Sequence, residues 1–111
     1  MEDVLERVRA GDADPACPNC GGIMKSATIS FGQNLVPDDL QRSEQAANAC
    51  DVMLAVGTSL AVFPIANVVP IAAGHGAKVI IVNGEATQFD GLADAVVNAS
   101  ISDVLPGLCS P

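Results

Sequence analysis

The sequence contains no tryptophan and no tyrosine, and its only aromatic residues are three phenylalanines. This excludes the aromatic-rich all-β modules and leaves Ala, Val, Ile and Leu to build a core, as in a buried parallel sheet covered by helices. Basic residues are scarce as well: five Lys and Arg face thirteen Asp and Glu, for a net charge of −8. A nucleic-acid partner needs a basic surface to neutralise its phosphates, and this chain would repel one. An anionic membrane surface is disfavoured for the same reason. No run approaches the roughly 18 unbroken apolar residues of a membrane span. The opening residues, Met1-Glu2-Asp3-Val4, carry no basic-then-apolar signal pattern, so a cytoplasmic location is expected. With 50% hydrophobic residues the chain is not disordered. A length of 111 residues allows one domain at most.

Four cysteines are present: Cys17, Cys20, Cys50 and Cys109. Cys17-Pro18-Asn19-Cys20 is a C-x-x-C knuckle followed by Gly21-Gly22. Two thiolates at that spacing share one zinc ion, and the glycines let the chain turn under the metal. Tetrahedral zinc needs four ligands, and a second knuckle is absent. Three readings stand: half a zinc site, a redox pair, or the remnant of a lost site. A thioredoxin-type redox pair opens a helix directly after a strand. Here both flanks, Asp14-Pro15-Ala16 and Gly21-Gly22, are loop-like, which favours half a zinc site. Cys50 and Cys109 each end a helical pattern among apolar residues and are expected to be small core residues.

Residues 1–10 alternate charged and apolar positions at helical spacing, with Val4, Leu5 and Val8 on one face. Residues 23–31 read as extended. Pro37 pre-sets a helix start, Asp38 and Asp39 complement its dipole, and Leu40, Ala47 and Cys50 are its inward candidates. From Val52 to Val82 the single formal charge is Lys78. Val52–Val56 and Lys78–Val82 read as strands buried on both faces. A helix is expected between them over 63–73, kinked or shortened by Pro70. Ala95–Val97 is a third short strand, and a last helix is expected over 101–108. Strand, helix and strand joined by short turns imply an α/β fold with a parallel sheet.

Ligands of open α/β sheets bind beyond the carboxyl ends of the strands. Gly57-Thr58-Ser59 offers a glycine for close backbone approach and two hydroxyls for phosphate or ribose oxygens. Asn83-x-Glu85 lies one β–α–β unit later, where dinucleotide folds place an acid on the ribose. The G-x-G-x-x-G fingerprint is missing, and an ordinary β–α turn with a solvated Glu85 is the competing reading. His75, the only histidine, stands in Gly-His-Gly at a helix end. That position suits a cap better than a catalytic base.

Taken in order, the motifs resemble the sirtuins, the NAD-dependent protein deacylases. They are Cys17-Pro18-x-Cys20-Gly21-Gly22, Phe31-Gly32-Gln33-x-Leu35, Asp51, Val56-Gly57-Thr58-Ser59-Leu60-x-Val62-x-Pro64, Val82-Asn83-x-Glu85-x-Thr87, Ala93-Asp94 and Asp103-Val104-Leu105-Pro106. The resemblance covers the C-terminal half of a sirtuin domain. It implies a partial Rossmann-like parallel sheet over residues 23–111, preceded by a remnant of a zinc-binding module over residues 1–22. It implies NAD as cofactor, with Gly57, Thr58 and Ser59 at its phosphate and ribose, Asn83 and Glu85 at the adenosine ribose, and Ser102, Asp103 and Val104 near the adenine. It implies an acyl-lysine peptide as partner, bordered by Ile29, Phe31, Gly32, Leu60 and Val62 and inserted as a strand. Cys17 and Cys20 would be half of the zinc site. Gln33 stands where the family's Phe-Gly-Glu motif has Glu.

The family's glycine-rich phosphate loop, its Thr-Gln-Asn-x-Asp strand end, its catalytic His-Gly and its first C-x-x-C are not among these 111 residues. His75 follows both the knuckle and the Gly-Thr-Ser turn, so it does not match the catalytic histidine. The expectation is a deacylase portion that is inactive alone, cut within the zinc module. Half a doubly wound sheet leaves a strand edge open, so self-association or a need for the remaining half is expected. The alternatives are a non-enzymatic nucleotide-binding or interaction fragment, and a small zinc or redox module.

Overall fold

The computed structural model describes residues 2–110, and the chain divides into two units, Met1–Asn34 and Leu35–Pro111. The zinc-module stretch expected over residues 1–22 lies inside the first unit. There α1 (Glu2–Arg9) carries Glu2 and Asp3 in its first turn and Arg7 and Arg9 in its last, the order that complements the helix dipole. Met1, included in the expected helix, lies outside the described residues. Arg7 donates to Asp12 through two nitrogens, at 2.8 and 3.2 Å, and to the Ala16 carbonyl at 2.9 Å, folding the turn back on the helix. None of the described residues of this unit is buried. Leu5 and Val8, expected on an inward face, are exposed because the unit offers them no apolar surface. Residues 23–31 do not form a strand; only Ile23 pairs, bridging Ala16. A ladder needs a second strand, and none among the described residues lies beside this segment.

The second unit holds the core. Helix α2 (Pro37–Ala49) starts with proline at its first position and turns a stripe of Leu40, Ser43, Glu44 and Ala47 inward. Strands β1 (Val52–Val56), β2 (Lys78–Val82) and β3 (Ala95–Val97) form a parallel sheet in that order. Val52 pairs with Lys78 through to Val56 with Val82, and Ile80 with Ala95 through to Val82 with Val97. The helix expected over 63–73 is split. Ile65–Asn67 is a 3₁₀ turn and α3 runs Val68–Gly74. Pro70 falls in the first turn of α3, where its missing N–H would have no intrahelical partner. The link from β2 to β3 contains only a 3₁₀ turn, Asp90–Leu92. Helix α4 (Ile101–Cys109) closes the unit.

Two apolar clusters hold these elements. Ala55, Leu60, Val69, Val79 and Ile81 pack together at the sheet, and Ala47, Ala72 and Ala77 form the seam of α2 against α3. Cys50 packs on that seam, as expected of a small core residue. Cys109 does not; it is exposed at the end of α4. Strand β2 is buried at Val79, Ile81 and Val82. Strand β1 corrects the expectation of burial on both faces: Ala55 is buried, but Val52 and Leu54 are about half exposed, at 55% and 48%. It is an edge strand, and one side of it meets no helix among the described residues. No helix among those residues is long and apolar enough to cross a membrane.

Candidate functional site at the carboxyl edge of the sheet

The parallel register brings the three strand ends, Val56, Val82 and Val97, to one edge. The chain stays hydrogen-bonded one step beyond them. Gly57 N–H donates to the Val82 carbonyl at 2.9 Å, and Asn83 N–H donates to the Val97 carbonyl at 3.0 Å. Gly57 has φ +62°, and a Cβ there would lie 3.2 Å from Cδ1 of Ile101, the first residue of α4. The start of α4 therefore sits against the turn after β1, which only glycine makes without strain. The first N–H groups of that helix lack intrahelical acceptors and bring positive potential to the edge.

Thr58 fixes the next turn: its hydroxyl accepts the Leu60 N–H at 3.1 Å. Leu60 has φ +54° and a buried side chain in the sheet cluster, so it meets any ligand less than the sequence suggests. Its carbonyl accepts from Gln88 Nε2 at 2.6 Å, which ties the β2–β3 link to the turn after β1. Within that link, Thr87 Oγ1 donates to Asp90 Oδ1 at 2.6 Å and Thr87 N–H donates to Asp90 Oδ2 at 3.1 Å. At the middle strand end, Asn83 Nδ2 donates to the Glu85 carbonyl at 2.9 Å, and Asn98 Nδ2 donates to the Asn83 carbonyl at 3.3 Å. These bonds hold the turn of Glu85 and leave its carboxylate exposed.

Gly57, Thr58, Ser59, Asn83 and Glu85 thus gather at one edge, with Ser102, Asp103 and Val104 in the first turns of the helix that abuts it. No Lys or Arg lies between Arg42 and Lys78 or after Lys78, so the turns that carry these residues hold carboxylates, hydroxyls and amides but no basic side chain of their own. Sequence reasoning missed Ile101 and Gln88, which shape the turns through partners 44 and 28 residues away. Neither belongs to a local motif, so no sequence signal marked them.

Beside β1 lies an open apolar groove of about 270 Å³, lined by Leu54, Val56, Thr58, Leu60, Val62 and Ile65 among others. It contains two of the residues expected to border a peptide, Leu60 and Val62. The other three, Ile29, Phe31 and Gly32, belong to the first unit and are exposed. His75 is the cap of α3: its N–H donates to the Ile71 and Ala72 carbonyls, and its Nδ1 lies 3.0 Å from the Ile71 carbonyl. It precedes β2 and so stands at the opposite edge of the sheet.

In the first unit, Cys17 N–H donates to the Gly22 carbonyl at 2.9 Å, and Gly21 N–H donates to the Cys17 carbonyl at 2.8 Å. Gly21, at φ +70°, lets the chain reverse. The N–H of Asn19, the N–H of Cys20 and the Cys20 thiol converge on the Cys17 sulfur and hold its pKa below the ordinary 9.0. Such a knuckle fits two of the four ligands of zinc. Among the described residues no group of three or more His, Cys, Asp or Glu is placed to hold a metal.

A sequence model described as the Sir2 family matches residues 1–64. The chain is 46% identical over 108 residues to NAD-dependent protein deacetylase 2 of Streptomyces coelicolor, covering 97% of this chain and 45% of the relative. It is 37% identical over 105 residues to the NAD-dependent protein deacetylase of Thermodesulfovibrio yellowstonii, covering 95% and 41%. The chain therefore spans somewhat under half the length of these relatives. Among solved structures, Sir2 with a p53 peptide and NAD+ superposes with a TM-score of 0.72 at 29% identity, covering 96% of this chain and 44% of that one. Sir2 bound to an acetylated peptide superposes with a TM-score of 0.71 at 29% identity, covering 96% and 44%.

Proposed function

The chain belongs to the Sir2 family, and from that membership we propose that it is the adenosine-binding, peptide-facing portion of an NAD-dependent protein deacylase. The observation that carries the reading is the convergence of the Gly57 turn, the Asn83–Glu85 turn and the start of α4 at one sheet edge. When bound, NAD supplies the ribose carbon that accepts the acyl group. The residues of this chain bind and orient the adenosine side. Gly57 lets backbone approach the diphosphate, the Thr58 and Ser59 hydroxyls and the first amides of α4 donate to its oxygens, and Glu85 accepts from ribose hydroxyls. Ser102, Asp103 and Val104 face the adenine. With Glu85 and Asp103 among the residues there, the diphosphate is held by neutral donors against carboxylate repulsion, so affinity is low and rises as salt screens that repulsion.

The acyl-lysine is recognised by the groove that Leu60 and Val62 line, whose apolar surface suits its alkyl part. Cys17 and Cys20 supply two thiolate ligands to zinc. The 111 residues alone do not catalyse deacylation, because His75 is committed to capping α3 and no other histidine is present. The open edge and uncovered face of β1 are covered in the working protein by polypeptide of the kind the relatives carry beyond the matched region.

Calorimetric titration of the pure chain with ADP-ribose tests the reading. Weak binding is expected, somewhat tighter at moderate than at low salt. It should fall at least tenfold in Gly57→Ala, where a methyl meets Ile101, and several-fold in Glu85→Ala. Absence of binding, or wild-type affinity in both variants, refutes the adenosine site. Release of nicotinamide from NAD by the pure chain refutes its inactivity.

A further inference from the structure

We propose that Gln88, with Phe89 beside it, is a positioning residue that holds the turn after β1 in the shape that orients the Thr58 hydroxyl. The inference rests on reading this sheet edge as the adenosine site. Leu60 is left-handed, at φ +54°, a conformation that a leucine keeps only where its surroundings impose it. Three contacts do so. Its side chain is buried in the sheet cluster, its N–H donates to Thr58 Oγ1 at 3.1 Å, and its carbonyl accepts from Gln88 Nε2 at 2.6 Å. The bond from Gln88 is the polar contact that reaches the turn from another segment. A carbonyl only accepts, so the Gln88 amide must turn its nitrogen toward it.

Gln88 is itself held in place. Thr87 donates to both Asp90 oxygens, and the Phe89 N–H donates to Thr87 Oγ1 at 3.3 Å. The Phe89 ring packs against the sheet cluster and stands edge-on to Phe63, with centroids 6.4 Å apart and planes at 72°. Gln88 and Phe89 therefore meet Leu60 and Phe63, and the turn after β1 is braced at two points by the link that also carries Glu85. The brace bears on the ligand through Thr58. Its oxygen accepts the Leu60 N–H, which leaves the hydroxyl proton free to be donated outward. If Leu60 relaxes out of the left-handed region, the turn opens and the hydroxyl loses that orientation. A site whose competent shape is only partly populated binds more weakly in proportion.

Gln88→Met tests this, because it removes the donor and keeps the length and bulk of the side chain. Amide hydrogen exchange is read by NMR on the full chain, free and with ADP-ribose. Without ligand, the Leu60 N–H should exchange faster in the variant, while the Val79 and Ile81 N–H groups of β2 exchange as in wild type. ADP-ribose affinity should fall about three- to tenfold, the reach of one hydrogen bond. Saturating ADP-ribose should restore slow exchange at Leu60, since a ligand that prefers the braced turn stabilises it. A merely structural contact would not be repaired from the ligand side. Leu60 exchange equal to wild type would overturn the proposal, as would faster exchange spread over β2, which is general loosening of the sheet. Wild-type affinity in a variant whose turn is loosened would overturn it too. A wild-type chain that does not bind ADP-ribose refutes the adenosine site, and the ligand-free exchange then still decides whether Gln88 holds the turn.

Discussion

Asp94 shows how much a single exposed side chain can organise. One carboxylate oxygen accepts the Val79 N–H at 2.9 Å and the other accepts from Lys78 Nζ at 3.0 Å, while its own N–H donates to the Val79 carbonyl at 2.8 Å. The Val79 N–H first, and the Lys78 ammonium second, hold its pKa below the ordinary 3.8. A carboxyl whose folded pKa is lowered stabilises the fold fully above its unfolded value, and that contribution disappears as pH falls through the folded one. Asp94→Ala should therefore lower the melting temperature at neutral pH and remove part of the steepening of stability loss below pH 4. An acid profile parallel to wild type, shifted by the same amount at pH 7 and pH 3, would show that the carboxylate charge is not involved. Residues of this kind set the limit of what sequence conveys. The turn at Gly57 and the place of Thr58 and Glu85 just beyond a strand end were legible because each is local to its own segment. The link from Asp94 to β2 was invisible in the pattern, because the relation of a carboxylate to an amide fifteen residues away is created by the sheet register.

At the scale of elements, the tightest contact is the alanine seam. Ala72 is fully buried between α3 and α2, beside Ala47 and Ala77. Helices approach closely where side chains stop at Cβ, and added methylenes there must displace backbone. Ala72→Leu should cost about 1–3 kcal/mol through overpacking, read as a lower urea midpoint at unchanged slope. A midpoint equal to wild type would mean that α2 swings away freely and contributes little to the fold. The helices and strands that periodicity and start signals predict correspond to elements of the structure. Pro37 opens α2, Lys78–Val82 is β2, and Ala95–Val97 is β3. Those that depend on a neighbour do not. Val52–Val56 has the composition of a strand buried on both faces, yet Leu54 is half exposed because the sheet has no further strand on that side among the described residues. Residues 23–31, read as extended, pair only at Ile23, with Ala16. Burial and pairing are properties of two elements together, and the composition of one does not contain them.

For the whole molecule, the contrast between the two units decides how it comes apart. Every buried residue named in the core lies between Ala47 and Val82, and none of the described residues before Leu35 is buried. The first unit is held by local hydrogen bonds and by ion pairs such as Arg7–Asp12, in which both side chains are about 40% exposed. Exposed pairs of this type contribute at most about 1 kcal/mol. The second unit unites a parallel sheet, two helices on it and the bonds that close its carboxyl edge. Opening free energies should differ accordingly, low in the first unit and close to global in the second. Limited trypsin digestion reads this difference directly, because the five basic residues are spread over both units. Lys25 lies in a stretch without helix or strand, and its ammonium reaches only the nearby Ser26 and Thr28 carbonyls. Arg42 is inside α2, and Lys78 starts the central strand, with its N–H on the Asp51 carbonyl at 2.9 Å. Cleavage after Lys25 should come well before cleavage at Arg42 or Lys78, leaving a persistent product that starts at Ser26 and keeps the cooperative melt of the parent. Early loss of the Lys78 bond, or digestion to small peptides without that product, would mean that the sheet and its helices do not hold together without the first thirty residues.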